Sequence, residues 1–510
     1  MQKPAKQVPE PEPEPPAPVQ PKPSKWFTRR TSLRKKPSEQ PGNLFHPPDS
    51  NVGLYKATFY SNIGSFLFGI AVGWSGAAEK SVMQRHSYDF QPSEDEWNGV
   101  CLLLTLGAAV WCVPMGLLMR CCGCRRTILI QLVPNALGWL LTVFAKSIPM
   151  LYAGRFVLGM CGGAHCVVVP IYNSEISPIR KRGAMGVLFQ GACIFGVIYS
   201  FMMSIVLELW IINLMNLGLL TLGLLQILMP ESPAYYVERG NISRAEASLR
   251  FLRGAKYDPR REIDHLMRTP TRIEYDVRQG PLRGFKYKKI RRSLARALVL
   301  AVLQKMCGAL IFIFFGPNML DCLRIRHEHG AFLALAVITG FLICFFLVDR
   351  VGRRPLLIIS SAFIFFASVF LGLYFKIWVT INYTILPWIA FFFIGLFVGS
   401  YTAGVGSLTW LLNAELIVRL MRPVACSIIC ACNWLTAFFV VFWFTFHDIK
   451  CQPYLFLLFA IIAIIIMLYT LVYIPETKRM TSAKIQQRMG GIMNRPASII
   501  ITSSSDSSNA

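Results

Sequence analysis

The chain is 510 residues long, 54% hydrophobic and only 15% charged, with a formal net charge of +25. Soluble globular proteins carry charge on about a quarter of their residues, so this composition excludes an ordinary water-soluble domain and points to lipid as the solvent. The Lys and Arg lie between long apolar runs rather than on a compact basic domain, which argues for loops facing anionic headgroups and against a nucleic-acid partner.

Residues 1–56 are Pro-rich, basic and polar, without the apolar core of a cleavable signal peptide, and are expected to form a disordered tail. Crossing a bilayer takes about 20 apolar residues in a helix. Such runs occupy 57–79, 98–119, 127–146, 150–172, 184–206 and 210–229, then 294–316, 330–348, 355–376, 385–412, 423–446 and 453–474. The expected fold class is therefore an all-α membrane protein of twelve transmembrane helices, with six-helix halves at 57–230 and 294–476. The stretch 231–293 is a polar linker rich in Arg and Lys. Within it Asn241 to Arg253 reads as an amphipathic helix, with Ser243 as N-cap, Glu246 in a capping box, and Leu249 and Leu252 on its apolar stripe. The Ser-rich stretch 477–510 is a second tail expected to be disordered.

Positive charge sets orientation. Arg29, Arg30, Arg34 and Lys35 stand in the first tail, and Arg125, Arg126, Arg180, Lys181, Arg182, Arg350, Arg353, Arg354, Arg419 and Arg422 follow spans two, four, eight and ten. Positive loops stay inside, so both termini are expected in the cytosol, of a plasma-membrane protein. Most of the fifteen Cys sit in apolar runs as small hydrophobes. Cys121, Cys122 and Cys124 at a helix end fit packing or palmitoylation better than zinc. Asn382-Tyr383-Thr384 is a glycosylation sequon in a short external loop. No catalytic triad, metal cluster or nucleotide-binding loop stands out, so neither an enzyme nor a cofactor is expected. The expected partners are a small solute and membrane lipid.

The halves echo each other. Gly123-Cys124-Arg125-Arg126 after span two matches Asp349-Arg350-Val351-Gly352-Arg353-Arg354 after span eight. Glu175-Ile176-Ser177-Pro178 with Arg182-Gly183 matches Glu415-Leu416 with Arg422-Pro423, and Pro230-Glu231-Ser232-Pro233 matches Pro475-Glu476-Thr477-Lys478. Duplicated halves place a substrate between them near the midplane and rock about it. Arg155, Glu175, Arg182, Asp349, Arg350, Arg353, Arg354, Glu415 and Arg422 are the candidate gating charges, because Arg grips carboxylate through two parallel bonds. Read as isolated residues, they serve equally as topology signals and caps.

These motifs, with Gly154-Arg155-Phe156 and Ala414-Glu415-Leu416, resemble the sugar porter branch of the major facilitator superfamily, the facilitative hexose transporters, over about residues 57–480. The resemblance implies a central sugar site. Gln190, Gln304, Trp410, Asn433 and Trp434 fall where the family binds sugar, with Gln and Asn amides for hydroxyls and Trp for a ring face. The chain departs from the family pattern at Lys305 in place of a second Gln, and at Leu310, Val337, Thr402, Val405, Ser407 and Thr409. Lys305 lies mid-span, where a charge costs roughly 2.5–3.5 kcal/mol, and no acid stands mid-span to partner it. It is read as facing a wet cavity. Three functions remain open at this point: a uniporter of a hexose or related small polar solute, a carrier of an organic anion using Lys305, and a solute sensor with little flux. Span one has no embedded acid between Tyr55 and Ala78, which favours facilitated diffusion over proton symport.

Overall fold

The computed structural model describes residues 48–84, 87–267, 272–326, 329–378, 386–446 and 453–490; the two tails, apart from 48–56 and 477–490, and the Asn382 sequon lie outside them. Among the described residues the secondary structure is helical throughout. Ten stretches are long and apolar enough to cross a membrane: Glu94–Cys122, Cys124–Val143, Ile148–Ile176, Arg182–Val206, Leu209–Leu228, Gly330–Leu347, Arg353–Ile377, Leu386–Leu416, Arg419–Thr445 and Pro453–Tyr473.

The two remaining expected spans are helical as well, and both turn polar groups inward. Val52–Gln84 buries Ser61, Asn62, Ser65 and Ser75 against the first half. The seventh span is broken into Lys288–Met306, Ala309–Phe314 and Gly316–Cys322. Gly308 makes the first break with φ of 84°, a left-handed conformation that costs an L side chain roughly 1–2 kcal/mol. A Cβ there would also stand 2.1 Å from the Phe459 ring of the twelfth span. Gly308→Ala should therefore destabilise the detergent-solubilised protein by about 2–4 kcal/mol, strain and overpacking together, read as a lowered thermal midpoint; an unchanged midpoint would mean that the break relaxes freely.

Local sequence sets several helix starts. Ser93 Oγ accepts from Glu96 N (3.3 Å) while Ser93 N donates to Glu96 Oε2 (2.7 Å), a complete capping box at the second span. In the linker the helix is Ile242–Arg253, and Asn241 is its cap, accepting from Arg244 N at 3.2 Å. Ser243 lies inside the first turn and donates to Asn241 instead. Leu249 and Leu252 are buried, and Arg253 donates to Ile176 O (2.8 Å) and pairs with Glu262 (3.1 Å), docking the linker under the fourth span. Cys322, the last residue of the seventh span's final piece, is disulfide-bonded, whereas thirteen other described cysteines are free.

Candidate functional site

The repeat has a common skeleton at the end of the bundle that carries the charged motifs. Gly123 and Gly352 both have positive φ, 87° and 118°, and each starts the next span. The N–H groups of Cys124 and Arg125 donate to the two carboxylate oxygens of Glu231, both at 3.0 Å. Those of Arg353 and Arg354 donate to Glu476 in the same way, at 3.1 and 3.0 Å. A carboxylate at a helix N-terminus satisfies orphan N–H groups and complements the dipole. The next residue repeats too: Ser232 Oγ donates to Glu175, and Thr477 Oγ1 donates to Glu415. Glu231 and Glu476 belong to the repeated landmarks, yet neither is among the candidate gating charges. Their recurrence one residue after Pro in both halves was the available signal.

On this skeleton the candidate charges separate. Arg353 is buried, pairs with Glu415 at 3.0 Å and reaches Asp349 at 3.1 Å. Asp349 crosses the seam and accepts from Gly183 N (3.1 Å) and Ala184 N (2.8 Å) at the start of the fifth span. Arg182 is within electrostatic reach of Glu415 and Arg422 of Glu175, each across the seam, with no direct ion pair among the described residues. Arg422 donates to Ile417 O and Ser482 Oγ, both at 3.3 Å. Arg354 binds the Leu471 carbonyl, and Arg350 is exposed with no ion pair among the described residues. Together these contacts join the two halves at the charged end.

Arg155 belongs elsewhere. It is fully buried, donates to Ala71 O (2.8 Å) and Ser75 Oγ, and lies 4.9 Å from the Trp74 ring centre. No carboxylate pairs with it among the described residues, and its hydrogen bonds join spans one and four.

Between the halves lies a cavity of about 600 Å³, walled by both of them. It runs from Trp410 and Trp434 to residues near the opposite helix ends, such as Lys80 and Ser204. Gln190, Lys305, Trp410 and Trp434 line it, as do Leu310, Val337 and Thr402. Lys305 Nζ sits 4.0 Å from the Trp434 ring centre and 5.7 Å from that of Trp410, with no hydrogen-bond acceptor among the described residues. The two indoles are set edge-on by Phe68 and Phe189, at 5.4 and 5.3 Å. Cation–π attraction reaches about 2 kcal/mol where the cation is desolvated, so the rings offset part of the cost of this buried charge. No Asp or Glu lines the cavity.

Gln304 and Asn433 are placed behind this wall. Asn433 Nδ2 donates to Gln304 Oε1 (2.9 Å) and Ala301 O (2.6 Å), and Gln304 Nε2 donates to Gly406 O (2.9 Å). Both are buried, and their amides tie spans seven, ten and eleven together. Thr402 Oγ1 likewise donates to Val337 O at 3.1 Å. Of the expected solute-binding amides, Gln190 alone faces the cavity, without a protein hydrogen bond among the described residues.

The sequence profile of the family described as "Sugar (and other) transporter" matches residues 57–489. Glucose transporter type 3 of Drosophila melanogaster is 71% identical over 490 residues, 95% of this chain and 96% of that protein. The facilitated trehalose transporter Tret1 of Bombyx mori is 28% identical, over 85% of this chain and 86% of that one. The Homo sapiens solute carrier family 2 facilitated glucose transporter member 6 is 26% identical, over 87% and 93%. Among solved structures, the proton:xylose symporter XylE bound to 6-bromo-6-deoxy-D-glucose superposes with a TM-score of 0.70 at 19% identity, covering 86% of this chain and 99% of that one.

Proposed function

The chain belongs to the sugar transporter family and has the major facilitator fold, and from there we propose that it is a facilitative carrier of a sugar or related small polar solute. The single observation that carries the mechanism is the cavity between the halves, extending toward one end while ion pairs and helix caps close the other. Rocking the halves would part the Asp349 contacts to Gly183 and Ala184 and open the charged end in turn. Gln190 is the proposed hydroxyl partner, and Trp410 and Trp434 the proposed ring faces.

We place the charged end and both termini in the cytosol, of a plasma-membrane protein, on the positive-inside pattern. The disulfide at Cys322, at the other end of the seventh span, supports this, since disulfides persist in oxidising compartments. Uniport is favoured because Arg155 meets Ser75 and a backbone carbonyl on span one, where a proton carrier would need an ionisable acid. In proteoliposomes of the full chain, sugar flux should run down its own gradient and stay unchanged when the proton gradient is collapsed. Strict dependence on that gradient would replace uniport with symport, and absence of flux for sugars, polyols and sugar acids alike would leave only a sensor.

One observation favours a second reading of the solute. Among the described residues Lys305 is a cation without a carboxylate in a cavity that Lys80 also lines, so a solute bearing an acid group would complete the charge balance.

A further inference from the structure

The two halves share the Gly123/Gly352 skeleton, and that register exposes a mismatch at the charged end. Counting from the glycines, Arg120 occupies the place of Asp349 and Cys124 the place of Arg353. Counting from Glu175 and Glu415, Pro423 and Val424 occupy the places of Gly183 and Ala184. In the second half the Asp349 carboxylate fills the gap to the facing helix start and Arg353 locks it to Glu415. In the first half neither group exists. What stands there is a cleft of about 390 Å³.

Its lining is strongly basic. Arg120, Arg239, Arg278 and Arg419 face Glu175 and Glu238 across it, beside Cys124 and Pro423. Arg419 is paired with Glu238 at 3.5 Å, and Glu175 holds the Ser232 hydroxyl. Burial raises the Glu238 carboxyl above its ordinary range, with Arg419 opposing the rise. Among the described residues Arg120, Arg239 and Arg278 form no ion pair, and Glu238 is within electrostatic reach of Arg278 and Arg120. Arg120 donates through one nitrogen to the Val277 carbonyl at 3.2 Å, while its Nη1 is buried without any partner. Arg239 lies over the Tyr235 ring at 5.3 Å and donates to the Cys121 carbonyl at 2.6 Å. A guanidinium fork with free N–H groups matches phosphate oxygens in pairs.

We propose that this cleft binds a small phosphate-bearing anion, which supplies in the first half the negative charge that Asp349 supplies in the second and holds the charged end shut. The anion joins three separate parts: span two through Arg120, the linker through Arg239 and Arg278, and the start of span eleven through Arg419. Such a ligand prefers the state in which these parts are together, and it can shift the equilibrium only by that preference. The binding claim holds whatever solute the central cavity carries. Only the compartment that supplies the anion, the cytosol, rests on the orientation proposed above.

The test uses the purified full chain in detergent at fixed ionic strength, with inorganic pyrophosphate as the probe and thermal unfolding as the readout. A saturable rise in midpoint is expected, and Arg120→Gln or Arg278→Gln should each weaken the apparent affinity by about tenfold, the loss of one charge-assisted contact. The double variant Arg120→Asp with Cys124→Arg sets an acid and an arginine where the second half has Asp349 and Arg353; it should no longer respond to pyrophosphate. A parallel arm uses phosphatidylcholine vesicles with and without phosphatidylinositol 4-phosphate. Stabilisation confined to that lipid and lost in Arg120→Gln assigns the same phosphate site to a headgroup. A shift as large in Arg120→Gln as in the natural chain, or none from either source, overturns the proposal. Because these readouts need no transport, they remain decisive if the carrier reading fails.

Discussion

Lys305→Met should make the carrier both more stable and less selective for acids. Lys305 is 8% exposed, and its ammonium rests on two indole faces with no hydrogen-bond acceptor among the described residues. Removing a buried charge that lacks a counter-charge commonly stabilises a protein by about 1–4 kcal/mol when an apolar group of similar volume replaces it. The same change deletes the group that would meet an acid. Uptake of a sugar acid such as glucuronate, relative to glucose, should fall by about tenfold or more, equivalent to about 1.4 kcal/mol of lost discrimination. Lys305→Gln should move selectivity the same way while restoring a hydroxyl partner beside Gln190. Competition assays on the two variants check this. If glucose and glucuronate compete equally in the natural chain and in both variants, Lys305 is a packing residue and the acidic-solute reading falls.

Arg353→Ala should release the closed end. Arg353 and Glu415 are buried to within 1% and 2% of full exclusion, and the same guanidinium orients Asp349 toward Gly183 and Ala184. Breaking one partner of such a pair leaves an uncompensated charge and costs about 3–5 kcal/mol. That is enough to reverse a two-state equilibrium whose states differ by a few kcal/mol. Amide hydrogen exchange gives a direct readout, since the N–H groups of Gly183 and Ala184 are the donors to Asp349. Their exchange should accelerate by about a hundredfold or more in Arg353→Ala. Arg350→Ala, which removes an exposed side chain with no ion pair, should leave it alone. Equal exchange in Arg353→Ala and the natural chain would mean that packing, not charge, closes this end.

Much of the fold was legible because its causes are long-range in composition yet local in sequence. Runs of about twenty apolar residues announce helices in lipid, and the order of acids, glycines and arginines after each span announced the duplication. The two spans that fall short of ordinary apolar length are the two that line the interior with Ser, Asn and Lys or break at Gly308. The site was harder to read. Gln304 and Lys305 are neighbours, about 100° apart around a helix, so one can face the cavity while the other faces span eleven. Which does so depends on how the helix is rotated, and position in sequence does not state it. The same limit applies to Asn433 and Trp434, where the indole reaches the cavity and the amide turns to Ala301 and Gln304. Arg155 stands on the same helix as Glu175 but near its other end, two turns inside the fourth span and against Trp74. Asn241 displaced Ser243 as cap because the helix begins one residue after it, an offset that pattern alone seldom fixes.

The paired clasps at Glu231 and Glu476 carry a mechanical consequence. Each carboxylate ties the peptide leaving its own half's last helix to the start of that half's third helix, and neither reaches across to the other half. In each half the chain from the third helix to the sixth is thereby closed into a ring, so that deformation concentrates where the two halves touch. The short stretch after Tyr473 is then a keystone of the second ring, and a cut or fusion placed before Glu476 opens that ring even though all twelve helices remain.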